Sequence, residues 1–550
     1  MLFNYKYSGS TSVESNSSST NMNFVPDTLR EPTFFRGLLS KNIPFREAIS
    51  ALHDVVVSDM RWKPKDNDDY KAWAAEQEQI HLEDMLSKKG EIKIKKEEIR
   101  TKLVEVNTEI DKFQGPYFKQ RQKYFDYLYK KDRDAWFVLD PVITVHPDEI
   151  FYECFSQDES SYGRLGCSYE VFKNINEFEC GTTNIDYSDA LYKEFQKIRN
   201  YKETEFVVDP TGFEVNTQTE DNFKELKIDL PDSWVRGFLQ VSSAMTLDSV
   251  EFDLHPMDVY NFCFILRRYK EKESPRFIRF VLEPGKPIKA IFEPWKFELT
   301  CEHSIYKGDV KKEVKIWGRR RLLILERLIP VAKSFKVKLL GTGLPSFFIA
   351  DLGDMNFTLG LSGWTKNDWS KAGNFDLMAP RAEVDNDTKV MIFNSLKEDW
   401  KMSAADLAKK MNLDQALITG ALSSYTQAGR VMYDMNKEVY RVRELAKDPL
   451  PMDKLRFSNE REQAANAYIQ KKTVEVKAEA KMDGALKLTG SVRKKQNSNT
   501  IYKTELIIDS DQRLVEASCD CHFFQSNKLR KGPCEHILAT RLQFGNQRFL

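Results

Sequence analysis

Near its C-terminus the 550-residue chain reads Cys519-Asp-Cys521, then twelve residues, then Cys534-Glu-His536. Three thiols and one imidazole at this spacing are the donors of a closed tetrahedral zinc site, in which sulfur and nitrogen fill all four positions. The chain has eight cysteines, and the other five (Cys154, Cys167, Cys180, Cys263 and Cys301) are scattered over its middle. Alternation up to Cys519 predicts a strand, on which Cys519 and Cys521 share the face of Val515 and Ala517 while His522 points the other way. Lys531-Gly-Pro533 turns the chain and delivers Cys534 just before a helix, with His536 in its first turn. A helix N-terminus favours the negative charge of a thiolate. Lys528, Arg530 and Lys531 add local positive charge. Four good ligands leave no position for a catalytic water, so the ion reads as one structural Zn2+ held by Cys519, Cys521, Cys534 and His536.

The elements that must position these ligands form a β-meander followed by a helix, over residues 473–550. Four alternating strands are predicted at 473–481, 485–494, 500–508 and 513–519, with turns at Asp483-Gly484 and Asn497-Ser-Asn499 and a last helix from 535 to 544. Upstream, 384–445 carries three short helices and a hairpin, a pattern that resembles a winged helix. Val390, Phe393 and Leu396 mark its first helix, and Ser403 three residues before Asp406 caps its second. The third helix, 414–427, exposes Gln415, Thr419, Ser423 and Gln427 and contains no Lys or Arg. Groove-reading helices bring basic residues; here only Arg430, Lys437, Arg441 and Arg443, near the wing, are positive. The unit therefore reads as a packing or protein-contact module.

Residues 136–380 mix β-like runs around 205–208, 277–282, 290–292 and 336–341 with helical periodicity at 260–268 and 319–335, an α+β body. Residues 26–135 read as a helical region. Within it, apolar residues on alternating three- and four-residue steps between 70 and 133, among them Leu82, Met85, Ile92, Ile99, Leu103, Val106 and Ile110, predict a coiled-coil-like arm. Residues 1–25 are rich in Ser, Thr and Asn and read as a disordered leader. The fold class is multi-domain α+β.

Eighty-three basic and 83 acidic residues cancel, so nucleic-acid binding has to come from a local patch. Two candidates stand out. One is the basic segment 307–338, in which Arg319, Arg320 and Arg321 fan around a helix and cannot all face one groove. The other is a set around the finger: Lys494, Lys495, Lys528, Arg530, Lys531 and Arg541. Phe523 and Phe524 are suited either to stacking on bases or to forming a small core. No apolar run approaches the about 20 residues of a membrane span, and the N-terminus lacks a signal-peptide core. The expected location is the cytoplasm, where the thiols stay reduced. Gly341-Thr-Gly343 lacks the Gly-Lys-Ser/Thr ending of a phosphate loop, and there is no Gly-x-Ser-x-Gly or His-Glu-x-x-His. Nothing points to an enzyme, though the chemistry of the 136–380 body stays open.

The Cys-x-Cys…Cys-x-His pattern on strand, loop and helix resembles the SWIM-type zinc finger. Three further segments, Trp317-Gly-Arg-Arg-Arg-Leu322, Leu339-Leu-Gly-Thr-Gly-Leu-Pro-Ser346 and the run from Thr358 to Trp369, resemble parts of a family of large bacterial SWIM-finger proteins. That resemblance implies an assembly with MoxR-type AAA ATPases and von Willebrand A domain proteins, and a finger that contacts DNA or protein. The expected function is a zinc-binding, non-enzymatic interaction protein whose C-terminal finger makes protein contacts, with nucleic acid as a second candidate ligand and an AAA ATPase as a candidate assembly partner. The alternative is a DNA- or RNA-binding regulatory or processing factor that uses the finger, the wing and the 307–338 segment.

Overall fold

The computed structural model describes residues 12–15, 19–24, 34–58, 141–175, 178–184, 192, 195–201, 203–208, 232–270, 276–364, 367–370, 375–379, 384–445, 460–480, 486–494, 500–508 and 514–548. The chain divides into two compact units, 59–138 and the remainder. All described residues belong to the second, so the coiled-coil-like arm lies outside them. The segment read as a disordered leader contains two strands, Ser12–Ser15 and Ser19–Phe24. The second pairs in parallel with Glu203–Val208, whose backbone groups supply the partners that the polar leader sequence does not advertise.

The body is built on an eight-stranded antiparallel sheet. Its strand order is Val250–Leu254, Ser334–Leu339, Ser346–Asp351, Met355–Leu361, Ser161–Ser168, Glu149–Phe155, Val142–Val145 and Gly181–Asn184. Beside it lies a four-stranded sheet ordered Phe297–Ile305, Pro287–Phe292, Ile278–Leu282 and Lys312–Ile316. The expected helix at 260–268 is present as Pro256–Arg268. The run at 319–335 is shorter than expected: a 3-10 helix spans Arg319–Leu328, Pro330 follows, and Ser334 already begins a strand. Strand Glu149–Phe155 is buried on both faces. Cys154 on one face meets Leu52 of the helix Asn42–Val56, and Phe155 on the other meets Trp234 and Phe238 of the helix Asp232–Met245.

Residues 384–445 follow the expected element order. Helices span Asn386–Asp399, Ala404–Met411 and Gln415–Gln427, capped by Asp385, Ser403 and Asp414. A hairpin of Val431–Asp434 and Val439–Val442 follows, and the short strand Lys401–Met402 pairs with its second strand. Ile392, Leu396, Leu407, Ile418, Leu422, Val431 and Val442 form a core of their own. Two expectations fail here. Val390 is exposed, its place in the core taken by Ile392. Thr419 and Ser423, expected on an open face, are buried because the helix Gln415–Gln427 packs against Asp232–Met245.

The hairpin is fixed to the body by buried ion pairs. Arg441, fully buried, donates to Asp148 at 2.7 Å and Asp434 at 2.9 Å and lies 3.3 Å from Glu149. Arg164 from the body sheet bridges Glu149 and Asp434, and Lys437 reaches Glu149 at 3.0 Å. Arg443 donates to Glu153 at 2.8 Å, and Glu153 also accepts from the Tyr162 hydroxyl. Burying such charges is costly, but removing one partner is worse, because it strands an uncompensated charge.

Burial opposes ionisation of Asp434, but Arg164 and Arg441 outweigh it and hold its pKa at about 2. Its unfolded value is near 4. A depressed carboxylate contributes stability that is complete above the unfolded pKa and lost as pH falls through the folded one. Wild-type stability should therefore fall between about pH 4 and pH 2, partly through this group. Asp434→Asn should cost about 3–5 kcal/mol at neutral pH and flatten that acid limb. Denaturant unfolding of both proteins across this pH range checks it; equal stability at pH 7 would remove the network from the account.

Candidate metal centre

The C-terminal module opens with the helix Glu460–Gln470 and continues as an antiparallel sheet of Val474–Ala480, Leu486–Arg493, Ile501–Ile508 and Leu514–Cys519. The helix Glu535–Arg548 crosses its inner face, burying Ile537, Leu538 and Ala539 against Leu488, Val492 and Leu506. A Cβ at Gly490 would come within 2.5 Å of Thr504 and Thr540 side chains, so this glycine lets helix and sheet approach closely.

Each ligand occupies the end of an element. Cys519 closes the last strand. Cys521 was expected on the same strand, but the strand stops two residues earlier and Cys521 caps the short helix His522–Asn527. Its sulfur accepts the backbone N–H of Phe524 at 3.4 Å, and the Cys519 sulfur accepts that of Cys521 at 3.4 Å. Cys534 directly precedes the helix Glu535–Arg548, with His536 in the first turn as expected. The ligand atoms of all four residues lie within 4.8 Å of one another, and all four side chains are buried. His522 is exposed and stands outside the cluster.

The imidazole is held in one orientation. Nδ1 of His536 lies 4.0 Å from the Cys519 sulfur, while Nε2 faces the Tyr468 hydroxyl at 3.5 Å. Tyr502 covers the ring, with centroids 3.9 Å apart. This leaves Nδ1 as the metal-facing nitrogen and Nε2–H as the donor to its supporting group. Neither tyrosine was identified from the sequence, because only the meeting of the first helix, the sheet and the last helix brings them to the site.

The electrostatics call for a cation. Hydrogen bonding from the Cys534 thiol, which outweighs burial, and from His536 draws Cys519 down to about 5. Burial pushes Cys521 up to about 11. The hydrogen bond to Cys519, and then burial, pushes Cys534 well above the ordinary thiol range. The three thiols are thus driven in opposite directions, since like charges so close disfavour one another. A divalent ion lets all three ionise, and the four donors present match the Cys3His set of a structural zinc site.

The other cations are dispersed. Arg541 is buried and donates to the carbonyls of Leu377 at 2.8 Å and Ala379 at 3.1 Å, so it clamps the body rather than facing solvent. Arg530 stacks on tryptophans of the body, Lys528 is exposed beside Phe524, and Lys531 is half-buried. Lys494 is exposed, and Lys495 lies outside the described residues. In the 307–338 segment, Arg319 is buried against Trp295 and donates to the carbonyls of Phe277 and Glu293. Arg321 is buried near Asp158, and Lys338 is buried between Glu251 and Glu438. Arg320 alone of the arginine triplet is exposed. Cys154, Cys167, Cys263 and Cys301 are ordinary buried thiols, and Cys180 is half-buried.

Residues 501–540 match the SWIM zinc finger family. The chain therefore carries a SWIM zinc finger whose Cys3His cluster takes one structural Zn2+. No curated protein matches the chain. Among solved structures, the crystal structure of proliferating cellular nuclear antigen from Entamoeba histolytica aligns with 41% of this chain and 89% of that one. Identity is 11% and the TM-score 0.27, a likeness too slight to carry an argument.

Metal binding at such a site is folding energy for the module that surrounds it. Cys519→Ser and His536→Ala should each lose about one zinc per chain and expose the 473–550 module to proteolysis. Elemental analysis with limited digestion reads both effects, and full metal retention in both variants would refute the assignment.

Proposed function

We propose that this protein is a zinc-stabilised, non-enzymatic interaction protein whose partners are chiefly other proteins. The observation that carries this reading is the fate of the charges a nucleic-acid reader would present. The helix–strand–helix–helix–hairpin order of 384–445 resembles that of a winged helix. Yet Arg441 and Arg443 are fully buried in ion pairs with the body, and Lys437 is paired with Asp148 and Glu149. Arg430 pairs with Glu444 and lies over Phe393. The third helix, which would enter a major groove, has its polar middle packed against another helix. A four-ligand zinc sphere keeps no open coordination position, which favours a structural over a catalytic ion.

What stays exposed suits protein contact. On the helix Pro256–Arg268, Met257, Tyr260 and Phe264 recur at helical spacing and are each about half exposed, with Arg268 beyond them. The likeness of the segments between Trp317 and Trp369 to bacterial SWIM-finger proteins suggests a MoxR-type AAA ATPase and von Willebrand A domain proteins as the partner class. No helix among the described residues is long and apolar enough to cross a membrane. A cytoplasmic location keeps the thiolates reduced for the metal. The alternative, a DNA- or RNA-binding factor, rests on the cations that do face solvent, such as Lys494, Lys528 and Arg320.

Salt separates the two. Neutralising several phosphates makes binding fall steeply with ionic strength, by about 10³–10⁵ between 50 and 200 mM salt for 6–10 contacts. Labelled single- and double-stranded DNA and RNA should show no saturable binding at physiological salt. Affinity purification from the native cell should return the same proteins with and without nuclease. Tight, steeply salt-dependent oligonucleotide binding, or loss of all partners on nuclease treatment, would replace this reading with the alternative.

A further inference from the structure

The finger loop between Cys521 and Cys534 is gripped from two sides. From the finger's own first helix, Arg461 donates to the carbonyls of Lys531 and Pro533, both at 2.9 Å, and its guanidinium lies 4.8 Å from the ring of Phe523. From the body, buried Asn367 donates to the Arg530 carbonyl at 2.7 Å. The Arg530 guanidinium lies 4.7 Å from the ring centre of Trp364 and 6.0 Å from that of Trp317.

The seat on the body is purpose-shaped. The Gly343 N–H donates to Lys315 at 3.0 Å, and the Trp364 N–H donates to the Gly343 carbonyl at 3.1 Å. These bonds tie the loop after Ser334–Leu339, the end of Lys312–Ile316 and the loop after Met355–Leu361 into one surface. Gly343 has φ of 76°, and a Cβ there would come 2.7 Å from Cδ of Arg530. Only glycine combines that backbone with room for the arginine stem. The three body segments notable in the sequence, around Trp317, Gly343 and Trp364, thus converge on one residue of the finger.

We infer that the finger loop's partner is the chain's own body, and that the metal site works as a zinc-dependent latch. An ion shared by Cys521 and Cys534 fixes both ends of the loop and so removes most of its conformational freedom before docking. Arg530 is then presented to Trp317 and Trp364, and Asn367 secures the backbone behind it. Loss of the ion frees the loop, and the C-terminal module loses its hold on the body at this seam. The same contact engages Arg530 with the body, leaving Lys528 as the exposed cation of that stretch.

The test is hydrogen exchange with mass spectrometry on the full chain, with zinc content measured on the same samples. Arg530→Ala should keep one zinc per chain and the protection of the finger strands. The amides of Gly343, Leu344, Trp364 and Asn367 should meanwhile exchange about tenfold faster or more. Cys519→Ser should lose the metal and deprotect the same amides. Unchanged exchange at the seat in Arg530→Ala would overturn the latch, as would an unchanged seat in Cys519→Ser once the metal is gone. If Cys519→Ser fails to fold, stripping zinc from the folded wild-type chain with a chelator takes its place: the same amides should lose protection, and an unchanged seat would overturn the latch. No partner enters the measurement, so its failure is distinct from failure of the proposed interaction role.

Discussion

Three sulfurs gathered with an imidazole nitrogen within 4.8 Å of one another resist carrying negative charge together unless a cation shares the space, and the C-terminal module depends on that constraint. Without a cation Cys521 and Cys534 are pushed toward their protonated forms while Cys519 is drawn down. With one, it joins the end of a strand, the cap of a short helix and the first turn of a long helix at a single atom. Small sheets need such a cross-link when their own core is modest. Here, among the described residues, the inner face of the four strands is covered chiefly by the helix Glu535–Arg548, on which Glu460–Gln470 packs.

A second constraint shapes the rest of the chain: most of the strategically placed cations are satisfied internally. The hairpin of the 384–445 unit sends Arg441 and Arg443 into the acidic face of the body sheet. Arg319 props the aromatic edge of the four-stranded sheet through Trp295 and two carbonyls. Arg541 ties the last helix to the carbonyls of Leu377 and Ala379. Guanidinium groups suit this work because they offer several donors in a fixed fork and are held less tightly by water than ammonium groups. The zero net charge of the chain is thus a sum of buried pairs as well as of solvated ones.

The metal ligands were legible in the sequence because ligand type and spacing are local properties. The four finger strands and the capped helices of 384–445 were legible for the same reason, through period-two alternation and side-chain caps. What escaped was tertiary. Glu149 and Glu153 share a strand face with Phe151 and Phe155, Arg164 lies on the neighbouring strand, and the hairpin that covers and pairs all three comes from 270–290 residues away. Thr419 and Ser423 look solvent-facing until the helix Asp232–Met245 is laid over them. The strand's halt at Cys519 was hidden because Cys-Asp-Cys continues the alternation, while the backbone uses Cys521 as a cap. Tyr468, Tyr502 and Arg461 support the site from elements that meet only in the fold.

X-ray absorption at the zinc edge of the purified full-length chain tests the central claim most directly, because it counts the atoms bound to the metal. The account predicts one zinc with three sulfurs at about 2.3 Å and one nitrogen at about 2.0–2.1 Å, with no bound water. A shell of oxygen and nitrogen alone, or fewer than three sulfurs, would contradict it.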